Sequence, residues 1–158
     1  MTYKPLPLNV AWQRLLHNLL ITGRKVSPRG LTTLELPQAT LAIDLSYPVL
    51  TIAERKLSYQ FMAAEAYWIL TGDDRVSTIA PYNERLLAFS DDGQTFFGAY
   101  GPPFAAQLDY VLRALRADQD TRQAALTLWR PSPPSSKDIP CTIAIGFQVR
   151  DARLNAHV

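Results

Sequence analysis

Between residues 9 and 22, Trp12, Leu15, Leu16, Leu19 and Leu20 recur at the i, i+3, i+4 spacing of one helix face. Asn9 stands where an N-cap belongs and Gly23 where a helix stops. Two short strands are expected next, at "TTLEL" and "ATLAIDL", the second alternating Leu41, Ile43 and Leu45. The clearest helix pattern is "TIAERKLSYQFMAAEAYWILTG", read as a helix over 52–71. Thr51 and Glu54 have capping-box spacing there, and Gly72 ends the run. A short helix near 82–89 and a longer one over 103–117 follow, the latter with Phe104, Leu108, Val111, Leu112 and Leu115 as its apolar stripe.

The last part of the chain switches from helical to strand periodicity. "RQAALTLW" and "CTIAIGFQVR" read as strands, and the second turns at Asp151 to return as "RLNAHV", an antiparallel hairpin. The order helix, strands, helices, strands predicts an α+β fold: a mostly antiparallel sheet with helices packed on one face. With no internal repeat and no low-complexity linker, residues 1–158 are read as one domain. The chain stops inside the returning strand with no cap, turn or polar tail after it. A domain seldom ends within a core strand, so a truncated protein is expected.

Composition narrows the class. The 158 residues are 47% hydrophobic and 19% charged, enough apolar surface for a real core and too little charge for disorder. A net charge of +2 is too weak to argue for a nucleic-acid partner or an anionic membrane surface. No run approaches the roughly 20 apolar residues of a membrane span. The N-terminus "MTYKPLPLNVAW" has no basic region followed by an apolar core, so no secretory signal is expected. The single cysteine cannot close an intramolecular disulfide and fits a reducing cytoplasm. One cysteine and two distant histidines, His17 and His157, argue against zinc.

Five polar residues stand out. Glu65 lies four after Phe61 and three before Trp68, inside the stripe Phe61, Ala64, Trp68 and Ile69. A carboxylate buried there costs several kcal/mol unless it is paired, hydrogen-bonded or protonated. It is either functional or a marginal Glu that reaches solvent or a structural arginine. Cys141 follows Pro140 and opens the penultimate strand, either as an inert small hydrophobe or as a thiol turned toward a cleft. Arg29, in the turn "SPRGLTT", and Arg122, at a strand entrance, are surface arginines or two prongs of a phosphate clamp. Tyr100 sits between glycines in "FFGAYGPPF", where turn packing alone accounts for it.

Taken in order, these pieces resemble the thymidylate synthase family, which includes the pyrimidine nucleotide hydroxymethylases. "AAEAYWILTGD" is similar to that family's helix motif, in which Glu is followed by Trp and then Gly-Asp. "FFGAYGPPF" is similar to its Gly-x-Tyr-Gly loop, "DTRQAALTLWRP" to its arginine strand and "IPCT" to its nucleophile motif. The resemblance runs from about residue 10 to the end. It implies that Cys141 is the nucleophile adding to C6 of the pyrimidine and that Glu65 organises water and assists proton transfer at C5. It also implies that Tyr100 stands beside the nucleophile, that Trp68 and Thr142 line the pocket, and that Arg29 grips the nucleotide phosphate. Arg122 then matches an arginine serving the neighbouring subunit, which implies a homodimer.

The implied substrate is a pyrimidine deoxynucleoside monophosphate, dUMP or dCMP, and the implied co-substrate is 5,10-methylenetetrahydrofolate. A pyrimidine C5 is a poor nucleophile until a thiolate adds at C6, so covalent catalysis divides one hard step into easier ones. The chain departs from the family at Arg122-Gln123, where two arginines are common, and at "PPF", where Trp-Arg often follows the Tyr-Gly loop. Thr142 stands where many methylating members have His. Together with "WRPSPP" it favours the hydroxymethylases over thymidylate synthesis. The Arg-Ser-x-Asp phosphate segment of the family lies beyond "LNAHV", which makes a non-catalytic nucleotide-binding or assembly fragment the reading of another class.

Overall fold

A computed structural model describes residues 5–158 of the chain; residues 1–4, which head the stretch read as lacking a secretory signal, lie outside it. The chain divides after Leu57 into two compact units. In the first, α1 (Leu8–Thr22) precedes a small antiparallel pair, β1 (Arg24–Val26) and β2 (Thr33–Glu35), with Arg24 opposite Glu35 and Val26 opposite Thr33. A tight turn over Pro28–Gly30 lets this hairpin close, with Arg29 at φ 53° and Gly30 at φ 79° in the left-handed region.

Three sequence expectations in this unit are corrected. The first strand is shorter than "TTLEL" and pairs with an unforeseen partner, β1. "ATLAIDL" forms no strand. Ile43 makes one isolated parallel bridge to Leu6, and Asp44 bends the chain by accepting from the Ser46 N–H at 2.9 Å. Asn9 and Thr51 cap no helix; they bind each other instead. The Asn9 amide donates to Thr51 Oγ1 at 2.8 Å, and the Thr51 N–H donates to Asn9 Oδ1 at 2.9 Å.

In the second unit, α2 spans Tyr59–Leu70, seven residues shorter at its start than the expected 52–71. Residues 53–55, still in the first unit, form a single 3₁₀ turn, and Lys56 adopts a left-handed backbone; Ser58 supplies the cap of α2 by accepting from the Phe61 N–H at 3.2 Å. Short helix α3 (Val76–Ile79) was not anticipated, and the segment near 82–89 is 3₁₀ in geometry over Glu84–Phe89. Then comes α4 (Gly101–Ala117). Strands β3 (Ala125–Thr127), β4 (Ala144–Arg150) and β5 (Arg153–His157) make one antiparallel sheet in that spatial order.

The terminal hairpin is as expected. Asp151 and Ala152 take φ of 52° and 56° at its tip, the left-handed pair that matches strand twist in a two-residue turn. Two apolar clusters form the core of this unit. Trp68, Val76, Ile79, Ala80, Phe96 and Ala99 make the first. Val111, Ala124, Leu126 and Leu128 make the second, where α4 lies on the sheet. Of the α4 stripe, Val111 is buried and Leu112 is turned out, because a stripe wider than the sheet contact leaves its margin in water. Among the described residues, no helix is long and apolar enough to cross a membrane.

Candidate active site

Two loops converge at the start of β4, and elementary chain chemistry explains both. Residues 138–142 contain Pro140, which has no N–H to give to a sheet, and Thr142, whose N–H goes to Tyr100 Oη; the ladder starts at Ala144. Cys141 therefore lies outside the strand it was expected to open. It is exposed, with Sγ 3.9 Å from the Ile139 carbonyl oxygen, while Pro140 beside it is buried.

The second loop, residues 97–100, runs into the N-terminus of α4. Tyr100 Oη accepts the N–H of Thr142 at 3.1 Å, so the tyrosine phenol holds the residue that follows Cys141. Tyr100 also packs against the Val111–Leu128 cluster, which fixes its ring. Turn packing and contact with the thiol loop are thus one arrangement. The Asp138 carboxylate accepts the N–H of Gly98 at 2.8 Å, a second tie between the two loops. Neither Asp138 nor Gly98 was singled out by sequence. The signal was available in their positions, three residues before the cysteine and two before the tyrosine.

Trp68 supports this loop from within the core. It is 8% exposed and meets Phe96 edge to face at 5.8 Å between ring centres. Its indole N–H is buried and meets no acceptor among the described residues. Glu65 lies one turn earlier on α2. Contrary to the expectation of a carboxylate within the buried stripe, the residue is exposed. Even so, neighbouring protein removes enough water from its carboxyl to raise its pKa above the ordinary value.

At the end of α2, Gly72 turns the chain at φ 72° and Asp73 gathers donors. Arg75 reaches it with its backbone N–H and Nε at 2.9 Å and with Nη2 at 2.8 Å, and the Thr78 hydroxyl reaches it at 2.8 Å. The Arg75 guanidinium chiefly holds the Asp73 carboxyl well below the usual carboxylate range. A surface groove of about 520 Å³ lies here, lined by Tyr67, Thr71, Gly72, Asp73, Arg75 and Thr78. None of the seven residues selected from sequence lines it. Arg122 is exposed at the bend before β3, and Arg29 is exposed in the first unit. Among the described residues, no group of His, Cys, Asp and Glu is arranged to hold a metal ion.

An exposed thiol thus follows a proline, and the residue after it is held by a Gly-x-Tyr-Gly loop; comparison with known proteins gives the class to which this arrangement belongs. The thymidylate synthase family model matches residues 10–158, and the chain belongs to that family. It is 34% identical over 131 residues to the deoxyuridylate hydroxymethyltransferase of Pseudomonas phage M6, covering 77% of this chain and 37% of that protein. It is 28% identical over 166 residues to the deoxyuridylate hydroxymethyltransferase of Bacillus phage SP01, covering 91% of this chain and 43% of the relative. It is 27% identical over 157 residues to a protein of Methanothermobacter thermautotrophicus named "Putative thymidylate synthase", covering 90% and 66%. The chain thus spans less than half the length of the two phage relatives.

Proposed function

We propose that the protein carrying this chain transfers a one-carbon unit from methylenetetrahydrofolate to C5 of dUMP or dCMP, giving the hydroxymethyl nucleotide. Residues 1–158 are then the N-terminal portion of one catalytic domain. The observation that carries the reading is the family match over 10–158 with Cys141 exposed and its neighbour Thr142 bound to Tyr100. Cys141 adds to C6 and makes C5 nucleophilic. The Glu65 carboxyl, biased toward its protonated form, handles protons at C5. The co-substrate supplies the carbon. Trp68 and Thr142 shape the pocket, and Arg29 and Arg122 take the nucleotide phosphate. Arg122 acts across a homodimer in the cytoplasm, so sedimentation of the protein at micromolar concentration is expected to give a dimer; a monomer counts against shared sites.

Two observations favour hydroxymethylation over thymidylate synthesis. Both phage relatives carry the hydroxymethyltransferase name. Thr142 is a hydroxyl residue next to the nucleophile in sequence, a group able to hold a water at the point where water decides between the two products. The test is turnover of dUMP and dCMP with methylenetetrahydrofolate, followed by absorbance. Loss of turnover in Cys141→Ala by at least about a thousandfold is expected, and undiminished turnover removes the nucleophile. A stoichiometric rise in dihydrofolate with methylated product identifies a thymidylate synthase instead.

A further inference from the structure

We propose that Asp138 is a positioning residue for Cys141, acting through a closed frame of two interloop hydrogen bonds; this rests on the reading of Cys141 as the nucleophile. The frame has four corners. Gly98 and Tyr100 lie two residues apart on one loop, and Asp138 and Thr142 lie four apart on the other. The Gly98 N–H donates to Asp138 Oδ2 at 2.8 Å, and the Thr142 N–H donates to Tyr100 Oη at 3.1 Å. Cys141 sits on the span between the two ties. Pro140, within that span, has no N–H with which to make a third.

Three features show that the Asp138 corner is built for this contact. The Gly98–Asp138 bond is charge-assisted, hence among the stronger kinds. A Cβ added at Gly98 would stand 2.8–2.9 Å from the Asp138 carboxylate atoms and would push the carboxylate off its present position. Asp138 is itself braced: its N–H donates to Ser136 Oγ at 3.1 Å, and the Ser136 hydroxyl contacts Asp91 Oδ2 at 2.6 Å and the Asp138 carbonyl oxygen at 3.2 Å. The Lys137 N–H adds a bond to Asp91 Oδ1 at 3.2 Å. The carboxylate is therefore anchored on one side by the 91–92 turn and holds the Tyr100 loop on the other. With the Asp138 tie gone, the thiol segment is joined to the Tyr100 loop, among the described residues, only by the weaker neutral bond at Thr142.

Amide hydrogen exchange on this chain tests the frame directly. In Asp138→Ala, exchange should accelerate about tenfold or more at Gly98 and also at Thr142, whose own partner is untouched, while Val111 in the middle of α4 is unchanged. Asp138→Asn, which keeps an acceptor, should restore both. Gly98→Ala pushes the carboxylate away without removing it, and should reproduce the two-site effect even where Asp138→Ala fails to fold. Exchange that accelerates at Gly98 alone shows two independent ties and overturns the proposal.

In the protein carrying this chain, Asp138→Ala should lower kcat about tenfold with the nucleotide KM near wild type; a raised KM at constant kcat overturns the positioning role. Uncoupled exchange together with turnover lost in Cys141→Ala defeats the frame and leaves the nucleophile. Coupled exchange with turnover intact in Cys141→Ala defeats the nucleophile and leaves the frame.

Discussion

At the scale of single residues, Glu65 carries opposing demands of stability and chemistry. Water lost around its carboxyl raises the folded-state pKa, so the native chain holds this proton to higher pH than the unfolded chain does. The native state is thus penalised as pH rises past the unfolded value of about 4.3, when Glu65 must ionise in partly dry surroundings. Glu65→Gln is accordingly expected to raise the melting temperature at pH 7 and to leave it unchanged near pH 3.5, as thermal scans at the two pH values would show. If Glu65 handles the C5 proton as proposed, the same change should also lower turnover by about a hundredfold or more. A destabilised Glu65→Gln protein at pH 7 would contradict the desolvation. Sequence pattern found this residue but misjudged its setting. Helix α2 is apolar nearly all round, with Tyr67 and Leu70 each 65% exposed, so spacing could not tell which face is buried.

At the scale of elements, the join between α2 and α4 is made by backbone and leaves no room for side chains. A Cβ at Gly101 would lie 2.4 Å from the Asp73 carbonyl oxygen and 2.8 Å from its nitrogen, and one at Gly72 would lie 2.9 Å from Ala105 Cβ. Neighbouring backbone yields less readily than a flexible side chain. Gly101→Ala should therefore cost about 1–3 kcal/mol, the range of overpacked sites, measured as a shift in urea midpoint at constant m-value. A midpoint within error of wild type would show that the two helices separate freely. Element existence was largely legible because α1, α4 and the terminal hairpin carry long periodic or turn signals. Boundaries were not, because local chemistry offered rivals. Thr51 and Glu54 have capping-box spacing, yet the Thr51 N–H and hydroxyl are taken by Asn9, and Ser58 is free to start α2. At Cys141 a proline stands just before and Tyr100 takes the N–H of Thr142 just after, so the strand starts at Ala144 and the thiol stays in a loop.

At the scale of the whole chain, acid reaches the candidate site through carboxylates outside the seven residues selected from sequence. Asp92 is pushed down to about 2, first by the backbone N–H groups of Thr95 and Gln94. Asp91 is lowered first by the Ser136 hydroxyl, then by the Lys137 N–H, and Asp73 is lowered first by Arg75. Each is depressed in the folded state, so the unfolded chain binds these protons more readily. Their stabilisation is complete above the unfolded value of about 3.9 and is lost as pH falls through the folded values. The Asp91 contacts brace Ser136 and Lys137, which lie directly before Asp138 and the thiol loop. Acid should loosen this loop before it unfolds the core. Between pH 4 and about pH 2, exchange at Thr142, corrected for the intrinsic pH dependence of amide exchange, should quicken while Val111 in α4 stays protected. Asp91→Asn should bring the Thr142 acceleration to neutral pH and flatten its pH dependence. Simultaneous loss of protection at Thr142 and Val111 would mean that the loop has no separate acid response.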